Sequence, residues 1–161
     1  MKLHVLWAAA AAVALSAAGA AAQGGPVKIG VLNDMSSLYA DISGPGSVVA
    51  ARMAVEDLGG KALGQPVEII SGDHQNKPDV GAAIARQWYD QDGVDLITDV
   101  PTSSVALAIE EVSREKKKIV LYSGSASSDI TGSKCSPYAA HWTYDTYALA
   151  HGTGSAVVKN G

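Results

Sequence analysis

The sequence predicts an α/β fold, an open and mostly parallel sheet with helices on both faces. Three observations predict it. Short apolar runs alternate with segments whose apolar residues recur at helical spacing; glycine and proline punctuate the boundaries; and the connections are long enough for crossovers between parallel strands.

Val27-Lys28-Ile29-Gly30-Val31-Leu32 alternates and then runs apolar, as a buried strand does. A loop from Asn33 to Ser43 carries Tyr39 and Asp41. Gly44-Pro45 then opens a helix, because a proline in the first turn gives up only an N–H that has no partner there. Val48, Ala51, Val55 and Leu58 fall on one face of it, and Gly59-Gly60 ends it. The unit then repeats. Pro66 to Ser71 is a second strand, Gly72 to Lys77 its loop, and Pro78-Asp79 the start of a helix with Val80, Ile84 and Trp88 on one side. Gly93-Val94-Asp95-Leu96-Ile97 is a third strand, followed by a helix from about Thr102 to Lys116 that buries Val105, Ala108, Ile109 and Val112. Glu110 and Arg114, four apart, are expected to pair on its outer side. Lys118 to Tyr122 is a fourth strand, Ser123 to Asp129 its loop, Ala139 to Trp142 a short fifth strand, and Asp145 to Val158 a last helix.

The first residues read differently. Lys2 and His4 precede an apolar run from Val5 to Leu15, and Ala20-Ala21-Ala22 offers the small residues that signal peptidase accepts. Residues 1–22 are therefore expected to be a cleaved secretory signal, which places the mature chain, from residue 23, outside the cytoplasm. The chain is 47% hydrophobic and 17% charged, with a formal net charge of −4. An acidic exported protein is a poor partner for nucleic acid, which is held by neutralising phosphates with Lys and Arg. Lys116-Lys117-Lys118, the one basic run, reads as a solvated helix end whose cations complement the dipole. Cys135 is the only cysteine, so it closes no disulfide within these residues and is expected to be a free thiol, an intermolecular half or one partner of a bridge to sequence beyond them.

Right-handed crossovers put every strand-to-helix loop on one edge of such a sheet, and ligands bind beyond the carboxyl ends of the strands. Tyr39, the run Thr102-Ser103-Ser104, the loop Ser123 to Ser128, and Tyr144 then share a crevice. The three hydroxyls stand where a helix begins, and a helix start has free N–H groups and the positive end of the dipole. With no Lys or Arg among them, they suit a carboxylate held by hydrogen bonds. The plainer alternative is that one of them merely caps the helix.

Catalytic signatures are absent from the sequence. Gly44-Pro45-Gly46 and Gly152-Thr153-Gly154 lack the third glycine of a dinucleotide fingerprint. There is no phosphate-binding G-x-x-x-x-G-K-[ST], no H-E-x-x-H and no G-x-S-x-G elbow. His74, expected in a solvated loop, His141 and His151 lack metal-ligand spacing, so no metal or cofactor is expected.

The sequence resembles the solute-binding proteins of ABC importers, in the branched-chain amino acid (leucine-binding) type. The resemblance is carried by the opening strand at Val27 to Leu32, the loop Asp34-Met35-Ser36 leading to Gly44, Gly93 to Ile97 running into Thr102-Ser103-Ser104, and Ser123 to Ser127 followed by Asp129-Ile130-Thr131. It implies a non-enzymatic type I periplasmic binding protein with two α/β lobes, of which residues 23–161 form a first lobe, incomplete and without the second. It also implies that an ABC permease receives the solute, an amino acid, amide or aromatic acid. The ligand-binding positions it implies are Thr102, Ser103 and Ser104 at the helix start, Ser125, Ala126 and Ser127 in the loop after the fourth strand, and Tyr39 and Ile42 against the apolar part of the ligand. His141-Trp142 stands where relatives carry an arginine-containing strand end, and Trp142 with Tyr144 favours a bulkier or aromatic solute. A ligand sensor of the same fold is the nearest alternative; a small α/β hydrolase using Ser103 or Ser125 is the more distant one.

Overall fold

The computed structural model of the protein describes residues 25–161. The expected secretory signal at residues 1–22 lies outside the described residues.

The elements are β1 (Val27–Asn33), α1 (Gly44–Asp57), β2 (Lys61–Ala62), β3 (Gln65–Asp73), α2 (Pro78–Asp90), β4 (Leu96–Asp99), α3 (Ser103–Lys116), β5 (Ile119–Tyr122), β6 (Ala139–His141) and α4 (Thr146–Asn160), with a 3-10 turn at Ser128–Ile130. They build a sheet of order β2-β3-β1-β4-β5-β6. All pairs are parallel except β2–β3. The expected open α/β sheet is therefore present, with one addition. β2 and β3 form a hairpin through Leu63 and Gly64, with φ values of 52° and 80°. Two successive left-handed residues match the right-handed twist of the strands, but Leu63 gives no such signal in the sequence.

The sheet's two faces are covered unequally. Gly30 and Leu32 of β1, Ile97 of β4, and Val120 and Tyr122 of β5 point toward α2 and α3 and join Trp88, Val105, Ile109 and Val112 in the main core. Trp88 reaches both β1, at Gly30, and β3, at Gly72. A Cβ at Gly72 would stand 2.8 Å from its Cζ2, so the glycines let the indole reach the sheet. The opposite face carries Ile29, Ile69, Leu96 and Leu121 and, among the described residues, is covered by α1, with an apolar groove along Ala51, Ala54, Val55 and Leu58. Of the expected α1 face only Val48 is buried, and Leu58 is exposed.

Two expectations about polar residues are corrected. Glu110 is not on the outer side of α3: it is 1% exposed, and its carboxylate oxygens have no partner. Arg114 pairs with Glu111 instead, and donates to the carbonyls of Lys134 and Cys135. The reason is the width of the buried stripe, which on α3 takes in Val105, Ala106, Ile109, Glu110, Val112 and Ser113 and so extends beyond the predicted apolar line. His74 is likewise not solvated but fully buried, because β3 runs on to Asp73 and carries it inside. In the basic run, Lys116 is tied to Asp90 at 2.8 Å, and Lys117 ends α3 in the left-handed conformation.

Candidate functional site

The strand order reverses between β1, which leads across to β3, and β4, which leads on to β5. The carboxyl ends at such a switch point splay apart and leave a crevice. Two buried residues bridge it. Asn33 ends β1 and donates from its side-chain amide to Asp99 at the end of β4, and Ser123 Oγ donates to the other Asp99 oxygen at 2.9 Å. Asn33 Oδ1 accepts from Ser43 Oγ at 2.9 Å, and the loop after β1 folds around Asp34, which accepts from Ser37 Oγ at 2.6 Å and from the Tyr39 amide at 2.9 Å. Burial alone would raise the Asp34 carboxyl, but these hydrogen bonds outweigh it and hold the group below its ordinary value. The loop that carries Tyr39 and Ile42 is thus anchored by an ionised carboxylate.

Asp99 and Val100 follow with φ values of 80° and 52°, both left-handed and neither glycine. A β-branched residue rarely adopts this conformation, and it persists only where the surroundings impose it. Here the Val100 N–H donates to the Leu32 carbonyl at 3.1 Å, and the Val100 side chain is fully buried. This turn delivers Pro101 and Thr102 to the start of α3.

Thr102 occupies the N-cap position of α3, yet no side chain caps the helix. Capping, the plainer role for these hydroxyls, is therefore not what they do. The first backbone bond of the helix runs from the Ala106 N–H to the Thr102 carbonyl, so the earlier N–H groups have no partner within the helix. Ser103 Oγ is turned instead to the loop after β5, where it accepts from the N–H groups of Ala126 and Ser127, both at 3.2 Å. Thr102 Oγ1 and Ser125 Oγ are buried without partners.

Tyr39, Ile42, Pro101, Thr102, Ser103, Ser104, Gly124, Ala126 and Tyr144 line one open cleft of about 360 Å³. Six of the eight residues implied by the resemblance meet there. The other two lie beside it: Ser125 is fully buried, and Ser127 Oγ accepts from the Asp129 N–H at the 3-10 turn. Gly124 and Pro101 also line the cleft and are not among the eight implied positions. A Cβ on Gly124 would stand 2.9 Å from Pro101 Cα, so the two loops close on one another only without a side chain there. The sequence signal was a glycine inside a run of serines. Sequence reasoning passed over Asn33, a polar residue directly after an apolar strand. The cleft has apolar walls at Ile42 and Tyr144, which are 79% and 56% exposed, and a floor of neutral hydroxyl and amide groups. A wider groove along α4, past Ala150, His151, Gly154 and Val158, belongs to that helix's own surface. Among the described residues no group of three or more His, Cys, Asp or Glu could hold a metal ion.

Comparison with known proteins agrees with this architecture. A family model described as periplasmic binding protein matches residues 26–161. Among solved structures, a periplasmic binding protein from Burkholderia mallei is 50% identical with a TM-score of 0.82, over 84% of this chain and 36% of that one. A branched chain amino acid ABC transporter periplasmic ligand-binding protein from Burkholderia xenovorans LB400 is 46% identical with a TM-score of 0.79, over 84% of this chain and 36% of that one. A solute binding protein of an ABC transporter from Rhodopseudomonas palustris, solved in complex with benzoate, shares the fold at 22% identity and a TM-score of 0.77, over 85% of this chain and 38% of that one. The chain thus spans about a third of the length of these relatives. No curated protein matches it. The chain belongs to the periplasmic binding protein family, with the substrate-binding proteins of branched-chain amino acid ABC transporters as its relatives, and its described residues take the form of a lobe of that fold.

Proposed function

We propose that the chain forms one lobe of a two-lobed, extracytoplasmic substrate-binding component of an ABC transporter. It captures a small carboxylate-bearing solute, an amino acid or a related acid, for delivery to the permease. The observation that carries the reading is the start of α3, where N–H groups left free by the helix and the Ser103 hydroxyl border a cleft with apolar walls. A carboxylate satisfies such donors because it accepts and never donates. The positive end of the helix dipole favours it without a fixed cation. Neutral donors suit a carrier that must later release its cargo. A second lobe closing over the ligand would draw on contacts present only in the closed state, since equal binding to both states shifts nothing. Tyr39, Ile42 and Tyr144 suit the apolar remainder of an aromatic or branched acid.

The hydrolase alternative needs a base beside a serine hydroxyl. His141 meets Ser125 through the backbone carbonyl, and Ser103 Oγ meets two amides. The sensor alternative uses the same cleft and differs only in the downstream partner. Calorimetric titration of the intact protein with leucine, benzoate, 4-hydroxybenzoate and a neutral amide tests the reading. At least one carboxylate should bind, the amide should not, and Ser103→Ala should weaken binding about tenfold, the usual scale for a hydrogen bond to a charged group. Absence of any carboxylate binding would overturn it.

A further inference from the structure

We propose that His141 is a positioning residue, holding the loop after β5 so that Ser103 has only its hydroxyl hydrogen to offer the cleft. His141 Nε2 lies 2.6 Å from the Ser125 carbonyl oxygen. A carbonyl only accepts, so Nε2 carries the hydrogen. That carbonyl shares one planar peptide unit with the Ala126 N–H, which donates to Ser103 Oγ at 3.2 Å. The next unit repeats the arrangement: the Ala126 carbonyl accepts from the Thr146 N–H at 2.8 Å, and the Ser127 N–H donates to the same Ser103 oxygen at 3.2 Å. Two consecutive peptides are therefore gripped by their carbonyls from β6 and α4 and point their N–H groups at one atom.

A hydroxyl has two lone pairs and one hydrogen. Both lone pairs of Ser103 are occupied, so a ligand meets only the hydrogen, and the donors behind it polarise that O–H. The seat thus selects an oxygen that accepts and turns away a group that donates. His141 reaches the ligand only through this chain of two bonds.

The consequence for binding rests on the carboxylate reading above, whereas the geometry does not, and the test separates them. In the unliganded wild-type protein, long-range proton–nitrogen NMR of the imidazole should show His141 protonated at Nε2; a bare Nε2 would overturn the assignment. Amide exchange at Ala126 and Ser127 should quicken about tenfold in His141→Leu and return to within about threefold of wild type in His141→Gln, whose amide can replace the donor. Equal rates in wild type and His141→Leu would refute it. Benzoate affinity should follow the exchange rates through the same two variants, and affinity unchanged while exchange quickens would sever His141 from ligand recognition. A wild-type protein that binds neither benzoate nor leucine defeats the carboxylate reading, while the NMR measurements still decide the role of His141.

Discussion

Helices α3 and α4 begin alike in sequence, each after a short strand and a polar residue, and end up in opposite situations. At α4, Asp145 closes the first turn, its Oδ1 accepting from the Ala148 N–H at 2.7 Å. At α3, Thr102 stands in the same position with its hydroxyl buried and unused, and Ser103 reaches across to another loop. Yet α3 is the helix with the buried face, while no residue of α4 is buried. The exposed helix relies on its cap for local stability. The packed helix is held by its core and can leave its first turn open.

The sharpest way to break this comparison is to fill the open end. Ser103→Asp puts a carboxylate where the ligand's is proposed to sit, and like charges forced together cost several kcal/mol. Carboxylate binding should fall at least about a hundredfold, while melting temperature holds or rises, since an anion at a helix start stabilises by about 0.3–1 kcal/mol. Retained binding in calorimetry would place the ligand elsewhere.

The claim that packing alone sustains α3 is sharpened by Glu110. Burial, opposed in part by Arg114, pushes its carboxyl up to about 7. The folded state then holds a proton that the unfolded chain releases near the ordinary glutamate value. Stability from this group is full below that value and is lost as pH rises toward 7. Glu110→Gln removes the titration and should raise stability at neutral pH by about 1–3 kcal/mol relative to wild type, with the gain vanishing near pH 4. Urea melts at the two pH values check the sign, and a gain largest at acid pH would contradict it.

Asp145→Ala should cost about 1 kcal/mol, the usual penalty for a lost cap, and should free the Ala148 amide to exchange. Thr102→Val should shift the midpoint of denaturation least, within about 0.5 kcal/mol, since the hydroxyl removed has no partner. A loss of 1 kcal/mol or more there would show that Thr102 caps α3 after all, and the two helix starts would be equivalent.

The parts of the fold legible in the sequence are those where local pattern and tertiary role agree. Val27 to Leu32 is a strand by its apolar run and one in the structure, and the same holds at Leu96 and at Ile119. The convergence of Tyr39, Ser103 and Ala126 follows from strand-to-helix loops sharing one edge. What stayed hidden depends on partners far along the chain. Glu110 and His74 are polar, and periodicity assigns polar residues to the outside; only the packing of α3 against β5, where Tyr122 lies beside Glu110, and the extra length of β3 put them inside. The bond from His141 to the Ser125 carbonyl spans sixteen positions and leaves no local trace. The left-handed turn at Asp99-Val100 is nearly as silent, because a valine is among the residues least given to that conformation.

That turn changes when the work of ordering is done. The chain enters an unfavourable conformation as the domain folds, locked by the Leu32 carbonyl and by burial of the valine. An incoming solute therefore does not have to freeze the approach to α3 upon arrival. If the carrier role proposed above holds, capture should be fast and cause little movement within this lobe.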